Sequence, residues 1–450
     1  MPETKRRACR CWLALLLLAL AGCAVAAGAA EPAQARATGP APLDFDAALQ
    51  RTLSSNARVR KAEIAVDLAE LAQMRARSAF YPRLDLSSST QRIEAHGSIP
   101  GLETLLLSGR TSVYSASTSL RLGMNLFAGG ADQAAERVAE ERVREAVLQL
   151  TQQRVSLARM LLERFHAVRQ AEIDLRGADL QRAASAEKLA RARWEFESGR
   201  LAQIFRDDAQ FELQQRELER ATKERVFAQA QGELQTMLGE GAEPVQRTST
   251  DNDYAQRLAQ RGLTAASAVT DVDISESRVK QSALEVDRSR SRFLPKIDFY
   301  TQVGFAGINE SSAATAFKDQ RKDKTIIGLT MAWNLFDGFD STAEHRSNQR
   351  RVDSARADVE LSIEELRRQR EELKRPLADS QGELQLQGQR LALAKARLEI
   401  SQVKLETGRT DGTSHRLAEI DLALQALDVD RLTETLAYHQ ARLQLLPRDR

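Results

Sequence analysis

Cysteine is confined to the first 23 positions of this 450-residue chain, at Cys9, Cys11 and Cys23. The body that follows therefore holds no disulfide and no thiolate metal site. Aromatic residues make up only 5% of the chain, while Ala, Leu, Glu, Gln and Arg dominate, the composition of long helices and coiled coils. The one long apolar run, Trp12 to Ala21, is too short to span a bilayer as a helix, so any membrane crossing has to be made by strands. A formal charge of +2, with both signs interleaved, describes solvated helix faces and offers nothing for nucleic acid to bind. His96, His166, His345, His415 and His439 share no ligand spacing. No Ser–His–Asp set or phosphate loop stands in a fitting context, so neither an enzyme nor a metal or cofactor is expected.

What is present starts with a targeting segment. Lys5, Arg6, Arg7 and Arg10 precede the apolar run, the pattern of a secretory signal over residues 1–22. Leu20 to Cys23 resembles a bacterial lipobox, which would leave Cys23 as a lipid-bearing first residue; ordinary cleavage after Ala26 or Ala29 is the alternative. Residues 23–42, ending in Gly39 to Pro42, read as a linker.

The rest of the chain says the same thing twice. Phe80 to Gln91 returns as Phe293 to Gln302, displaced by 213 residues at Pro82 and Pro295, and Leu120 to Gly130 returns as Leu329 to Phe339, displaced by 209. Solenoid repeats run about 20–50 residues, so this is a duplicated half. The first repeat spans 43–238 and the second 265–446, with a polar linker at 239–264. Each reads as helix, two strands, very long helix, glycine turn and helix.

Strands are expected at 84–96, 112–126, 297–306 and 325–336. Leu84, Leu86, Leu120, Leu122, Met124, Ile297, Phe299, Ile327, Leu329, Met331 and Leu335 alternate with polar residues, and Asp85, Asp298, Asn125 and Asn334 fall on the polar face in both halves. That period of two is the signature of strands with lipid on one side and water on the other, although a soluble sheet with one buried face alternates in the same way. Two separate hairpins are marginal in water, which favours strands completed by other subunits. Gly129, Gly130 and Gly338 mark the bend from strand to helix.

Residues 131–198 form a helix of roughly 100 Å, with a narrow stripe of Val143, Val147, Leu150, Leu157, Leu161 and Val168. Its counterpart at 341–406 contains Pro376, expected to kink it. Helices this long need partners along their length. Shorter helices follow at 201–238 and 415–446 after tip turns marked by Gly199, Gly408 and Gly412, and the second turn reads as about four residues longer than the first.

Together these landmarks resemble the TolC family of outer-membrane efflux and secretion channels. The resemblance rests on the signal sequence, the duplicated half, the Tyr81–Pro82 and Leu294–Pro295 strand openings, the Asn-Leu-Phe bends, and a glycine followed nine residues later by aspartate. That last spacing is met by Gly199 with Asp208 and by Gly412 with Asp421, with Leu422 where alanine is usual. The resemblance implies a mainly α fold with membrane β: long antiparallel helical hairpins form a periplasmic tunnel, and four strands per chain close a twelve-stranded barrel in a homotrimer. It implies passive conduction of drugs or secreted proteins, with outer-membrane lipid around the barrel. A periplasmic adaptor and an inner-membrane transporter, ABC-type or proton-driven, would be the partners. Family carboxylates beside the turn ring a constriction; the candidates here are Asp208, Asp421, Asp207 and Glu419, for which solvated helix-start carboxylates are the plainer reading. Phe205 and Ala418 stand where an acidic residue is frequent in the family. A periplasmic coiled-coil adaptor or structural protein is the alternative function, distinguished by compact β domains in place of four split strands.

Overall fold

A computed structural model describes residues 43–95, 111–239, 248–249, 251–263 and 271–446. The signal and lipobox expectations, with Cys23, and the linkers at 23–42 and 240–247 lie outside the described residues.

The opening helical stretch is divided. Helix α1, Phe45–Ser55, stops at Asn56, whose extended backbone and side-chain oxygen cap α2, Ala57–Arg77, by accepting from Arg58 N at 2.9 Å. An asparagine side chain competes for backbone donors in this way and favours a cap over a continuous helix. Pro82 then forces Tyr81 into extended backbone, and strand β1 follows, Arg83–Ala95. Strand β2 is Thr111–Phe127, and helix α3 runs from Ala131 to Glu197. Helix α4, Gln203–Leu238, closes the first repeat. The linker carries a short helix that its composition does not announce, α5, Tyr254–Gln260. The second repeat follows the same order: α6 (Asp271–Arg290), β3 (Lys296–Asn309), β4 (Arg321–Ala332), α8 (Asp340–Glu406) and α9 (Gly412–Gln444). A further short helix, α7, Ala313–Lys318, sits in the loop between its strands. Helix α8 stays helical on both sides of Pro376.

The four strands form one antiparallel sheet in the order β1-β2-β3-β4. The two hairpins therefore pair first with each other, through β2 and β3, before any second chain is involved. Register puts the apolar residues of both halves on one face: Leu84 opposes Leu122, Leu120 opposes Val303, Met124 opposes Phe299, and Phe299 opposes Leu329. Leu86 is 73% exposed and Ile327 71%, so most of that face is uncovered, and α7 packs over it only at the loop end, at Ala116 and Gly307. Strand β4 ends at Ala332, which leaves Leu335 beyond the ladder and outside the expected alternation. The edges β1 and β4 keep unpaired backbone groups, which a sheet in lipid cannot leave open.

The main core sits midway along α3. Leu161, Leu162, Phe165 and Val168 meet Phe45 and Leu49 of α1, Leu234 and Leu238 at the end of α4, Tyr254 and Leu258 of α5, and Ala441 and Leu445 near the end of α9. Phe45, Phe165 and Tyr254 pack edge to face with ring centroids 5.1–5.9 Å apart. In the second repeat, 209 residues on, Arg370, Glu371 and Lys374 replace Leu161, Leu162 and Phe165. Only the first long helix carries this core, because α1 and α5 pack there.

Candidate functional site: the bend, the tip and the uncovered faces

The bend from strand to helix is built on left-handed backbone. Gly129 (φ 62°), Gly130 (φ 85°) and Gly338 (φ 69°) all adopt it. At Gly129 a Cβ would stand 2.8 Å from the Ser291 carbonyl oxygen, so glycine is needed for space as well as for φ. The position matching Gly130 is Phe339, a side-chain-bearing residue at φ 72°. Phe339 meets Phe336 edge to face at 5.6 Å, and Tyr81, Phe127 and Trp333 are also exposed near this level. Aromatics at the end of an apolar strand band form the girdle of a membrane barrel.

At the tip the two turns are built alike. Helix α3 ends at Glu197 and α4 starts at Gln203; α8 ends at Glu406 and α9 starts at Gly412. The turns are thus equal in length, against the expected difference. Gly199 (φ 72°) and Gly408 (φ 67°) are the left-handed closing residues. Arg200 N donates to Glu195 O and Arg409 N to Lys404 O, each at 2.8 Å, the same C-terminal closure in both repeats. Gly412 is the first residue of α9, capped by Asp411, whose side chain accepts from Ser414 N at 3.1 Å.

This equivalence changes the placing of the carboxylates. Counted from the left-handed glycine, Asp208 is matched by Leu417, and Asp421 lies four residues further along α9, about 6 Å deeper. Asp208 is exposed and Asp421 half-buried. Asp207 is engaged by Arg206, with nitrogens at 2.6 and 3.0 Å, and this hydrogen bond holds its carboxyl below the usual range. Glu419 lies 3.4 Å from His415 Nε2. No contact within the chain brings Asp208 and Asp421 together among the described residues. The sequence reading missed the pairs that join the two hairpins at the tip: Arg416 with Glu187 at 2.9 Å, and Arg191 with Asp411 at 3.6 Å. The matched Glu-Ser-Gly-Arg and Glu-Thr-Gly-Arg turns at 197–200 and 406–409 were the available signal for their alignment.

The helices also leave apolar stripes without a partner. Ile204, Phe211 and Leu218 on α4 are exposed seven residues apart, as are Leu386, Leu393 and Ile400 on α8. Heptad stripes of this kind are coiled-coil seams awaiting another helix.

A family model described as "Outer membrane efflux protein" matches residues 48–240. That stretch, the first repeat with its strands and long helix, is similar to the family. No curated protein matches the sequence. Among solved structures, the fold resembles CusC (TM-score 0.69, 14% identity, 90% of this chain and 92% of that one). It also resembles VceC of Vibrio cholerae (0.66, 13%, 89% and 96%) and MtrE of Neisseria gonorrhoeae in its open state (0.61, 14%, 90% and 90%). These likenesses extend over about 90% of the chain and show a shared fold of long helical hairpins with a four-stranded sheet. The adaptor alternative is not favoured.

Proposed function

We propose that this chain is a passive outer-membrane efflux channel that reaches into the periplasm, and that three copies of it close a twelve-stranded barrel, with β4 of one copy pairing to β1 of the next. The observation that carries the reading is the four-stranded sheet with two open edges and one apolar face that is uncovered along most of its length. Closure satisfies every edge, and lipid covers the apolar face. The exposed heptads of α4 and α8 find partners in the same step, as neighbouring hairpins meet around the tunnel. The tunnel is shut where the hairpins converge at the tip, and Arg416–Glu187 and Arg191–Asp411 hold the two hairpins of each chain together there. Asp208 is the leading constriction carboxylate, being exposed and one turn into α4; Asp421, Asp207 and Glu419 are secondary candidates. A periplasmic adaptor and an inner-membrane transporter open the tip and deliver drugs or secreted proteins. Cys23, where lipidated, adds a second anchor. The test is assembly: purified protein in detergent is expected at three times the 50.0 kDa chain mass, less the leader. A cysteine pair placed on β1 and β4 should cross-link it into a trimer. A detergent-free monomer would overturn the reading.

A further inference from the structure

We propose that the outer part of the barrel lumen is a basic exit that favours anionic substrates, and that Arg321 and Lys324 set this preference with Arg121. The inference rests on the reading that the apolar sheet face meets lipid, so that the opposite face lines the lumen.

Paired residues on neighbouring strands share a face, so register assigns each charge. Arg83 opposes Gly123, Asp85 opposes Arg121, Arg121 opposes Gln302, and Asp298 opposes Asn125. Lys296 opposes Ala332, Lys324 opposes Gly304 and Arg321 opposes Ala306. All of these lie on the polar face. That face therefore carries five cations against two carboxylates, a net +3 for each chain and +9 for a trimer, among the described residues.

The distribution along the strands is uneven. Lys296, Arg83 and Asp298 lie at the helix end, and Arg121 and Asp85 lie midway. Arg321 and Lys324 lie at the loop end, with no carboxylate paired to them across β3. Asp323 falls at the bulge between them, and Asp319 is taken up by Asn309 Nδ2 at 3.1 Å.

The side chains follow the register. Lys324 lies over Gly304, its Cγ 3.5 Å from where a Cβ would stand, and the Tyr300 ring covers Gly328 at 3.0 Å on the same face. The Arg121 guanidinium stacks on Tyr300, 5.2 Å from the ring centre, and is anchored there by a ring and not by an acid. None of the ion pairs among the described residues uses Arg121, Arg321 or Lys324.

The rest of the polar face is neutral. Ser87 pairs with Ser119 at 2.8 Å and Ser89 with Ser117 at 2.9 Å, so among the described residues the bulge carboxylate Asp323 is the one further charge beside the excess, and it offsets it only in part. Charges of one sign in a conduit with low-dielectric walls focus the field and concentrate counter-ions. Small molecules bearing carboxylate, sulfonate or phosphate groups are drawn through such an exit, and polycations are held back.

The experiment uses the purified trimer in planar bilayers, with inorganic tripolyphosphate or spermine added on the loop side at low salt. Tripolyphosphate is expected to block the current and spermine to leave it unchanged. In Arg321→Gln with Lys324→Gln the block should weaken about tenfold, and in about 1 M salt it should vanish. Lys322→Gln is the control, since Lys322 opposes Phe305 on the apolar face; it should behave as wild type. An unchanged block in the double variant, with normal conductance, would overturn the basic exit alone. Block lost in Lys322→Gln but kept in the double variant would invert the faces and overturn the lipid-facing reading. All arms are run in the tip-opened Arg191→Ala, Arg416→Ala background, and a trimer that stays without conductance there would overturn the channel itself.

Discussion

Tyr254 donates a 3.1 Å hydrogen bond through its hydroxyl to Oε1 of Glu434, tying the inter-repeat segment to the last helix across 180 residues of chain. Glu434 is only 1% exposed. Gln170 Nε2 donates to its other oxygen at 2.8 Å, and His166 Nδ1 lies 2.6 Å from the same oxygen. The His166 ring stacks on Tyr438 with centroids 4.1 Å apart. Burial pushes the Tyr254 phenol well above its ordinary range and keeps it a donor. Tyr254→Phe removes one donor from a buried carboxyl and should cost about 1–3 kcal/mol. The check is a lowered thermal midpoint with the trimer still formed. An unchanged midpoint would mean that Glu434 is satisfied without Tyr254.

Stability should also fall in mild acid through His439. Burial lowers its pKa, the nearby His166 and Arg442 charges add to this, and Glu434 opposes it. The unfolded chain takes up this proton first, near the ordinary value of about 6.5. The penalty is therefore absent above that value and grows as pH falls below it, through the lower folded pKa. Thermal midpoints measured between neutral pH and mild acid should decline in the wild type. They should decline less in His439→Gln, relative to each protein's neutral value.

Glycine substitutions should separate two causes. At Gly199 and Gly408 a Cβ would meet no atom within 4 Å, so Gly→Ala costs only the left-handed backbone, about 1 kcal/mol. At Gly307 a Cβ would lie 2.2 Å from the Ala316 carbonyl oxygen. Gly307→Ala should therefore displace α7 from the sheet. Limited proteolysis of the purified trimer is expected to cut between 310 and 320 in that variant and to spare both tip variants.

The tip carries the gating prediction. Arg416→Ala together with Arg191→Ala removes two exposed pairs, so overall stability should barely change. Conductance should rise as the hairpins separate. Asp208→Asn combined with Asp421→Asn should shift the reversal potential under a salt gradient away from cations, and Asp208→Asn alone should give most of the shift because Asp421 lies deeper. No shift, with trimers intact, would leave these residues as solvated helix carboxylates.

Topology can be read from thiol labelling, since the natural cysteines all lie in the first 23 residues. Ala316 is fully buried and a poor label site, whereas Phe317 beside it is half exposed. Phe317→Cys should react with a membrane-impermeant reagent on intact cells. Reaction only after the outer membrane is permeabilised would reverse the orientation of the strands.

Much of this architecture is written in local periodicity. The alternation through Leu120, Leu122 and Met124 declares a strand with two unlike faces, and the proline-free stretch from Ala131 declares one long helix, because both signals arise from neighbours along the chain. The duplication supplied the order of elements. What the sequence could not supply were relations across space. That the apolar faces of the two hairpins lie on the same side of one sheet depends on β2 pairing with β3. The burial of Leu161 and Phe165, while the matching Arg370 and Lys374 stay polar, depends on where α1 and α5 pack. The equivalence of Gly199 with Gly408, and so the mismatch of Asp208 and Asp421, emerges only when the two turns are closed by the same hydrogen bonds. Linear spacing admits Gly412 equally well, since a glycine's left-handed backbone is a property of the folded turn.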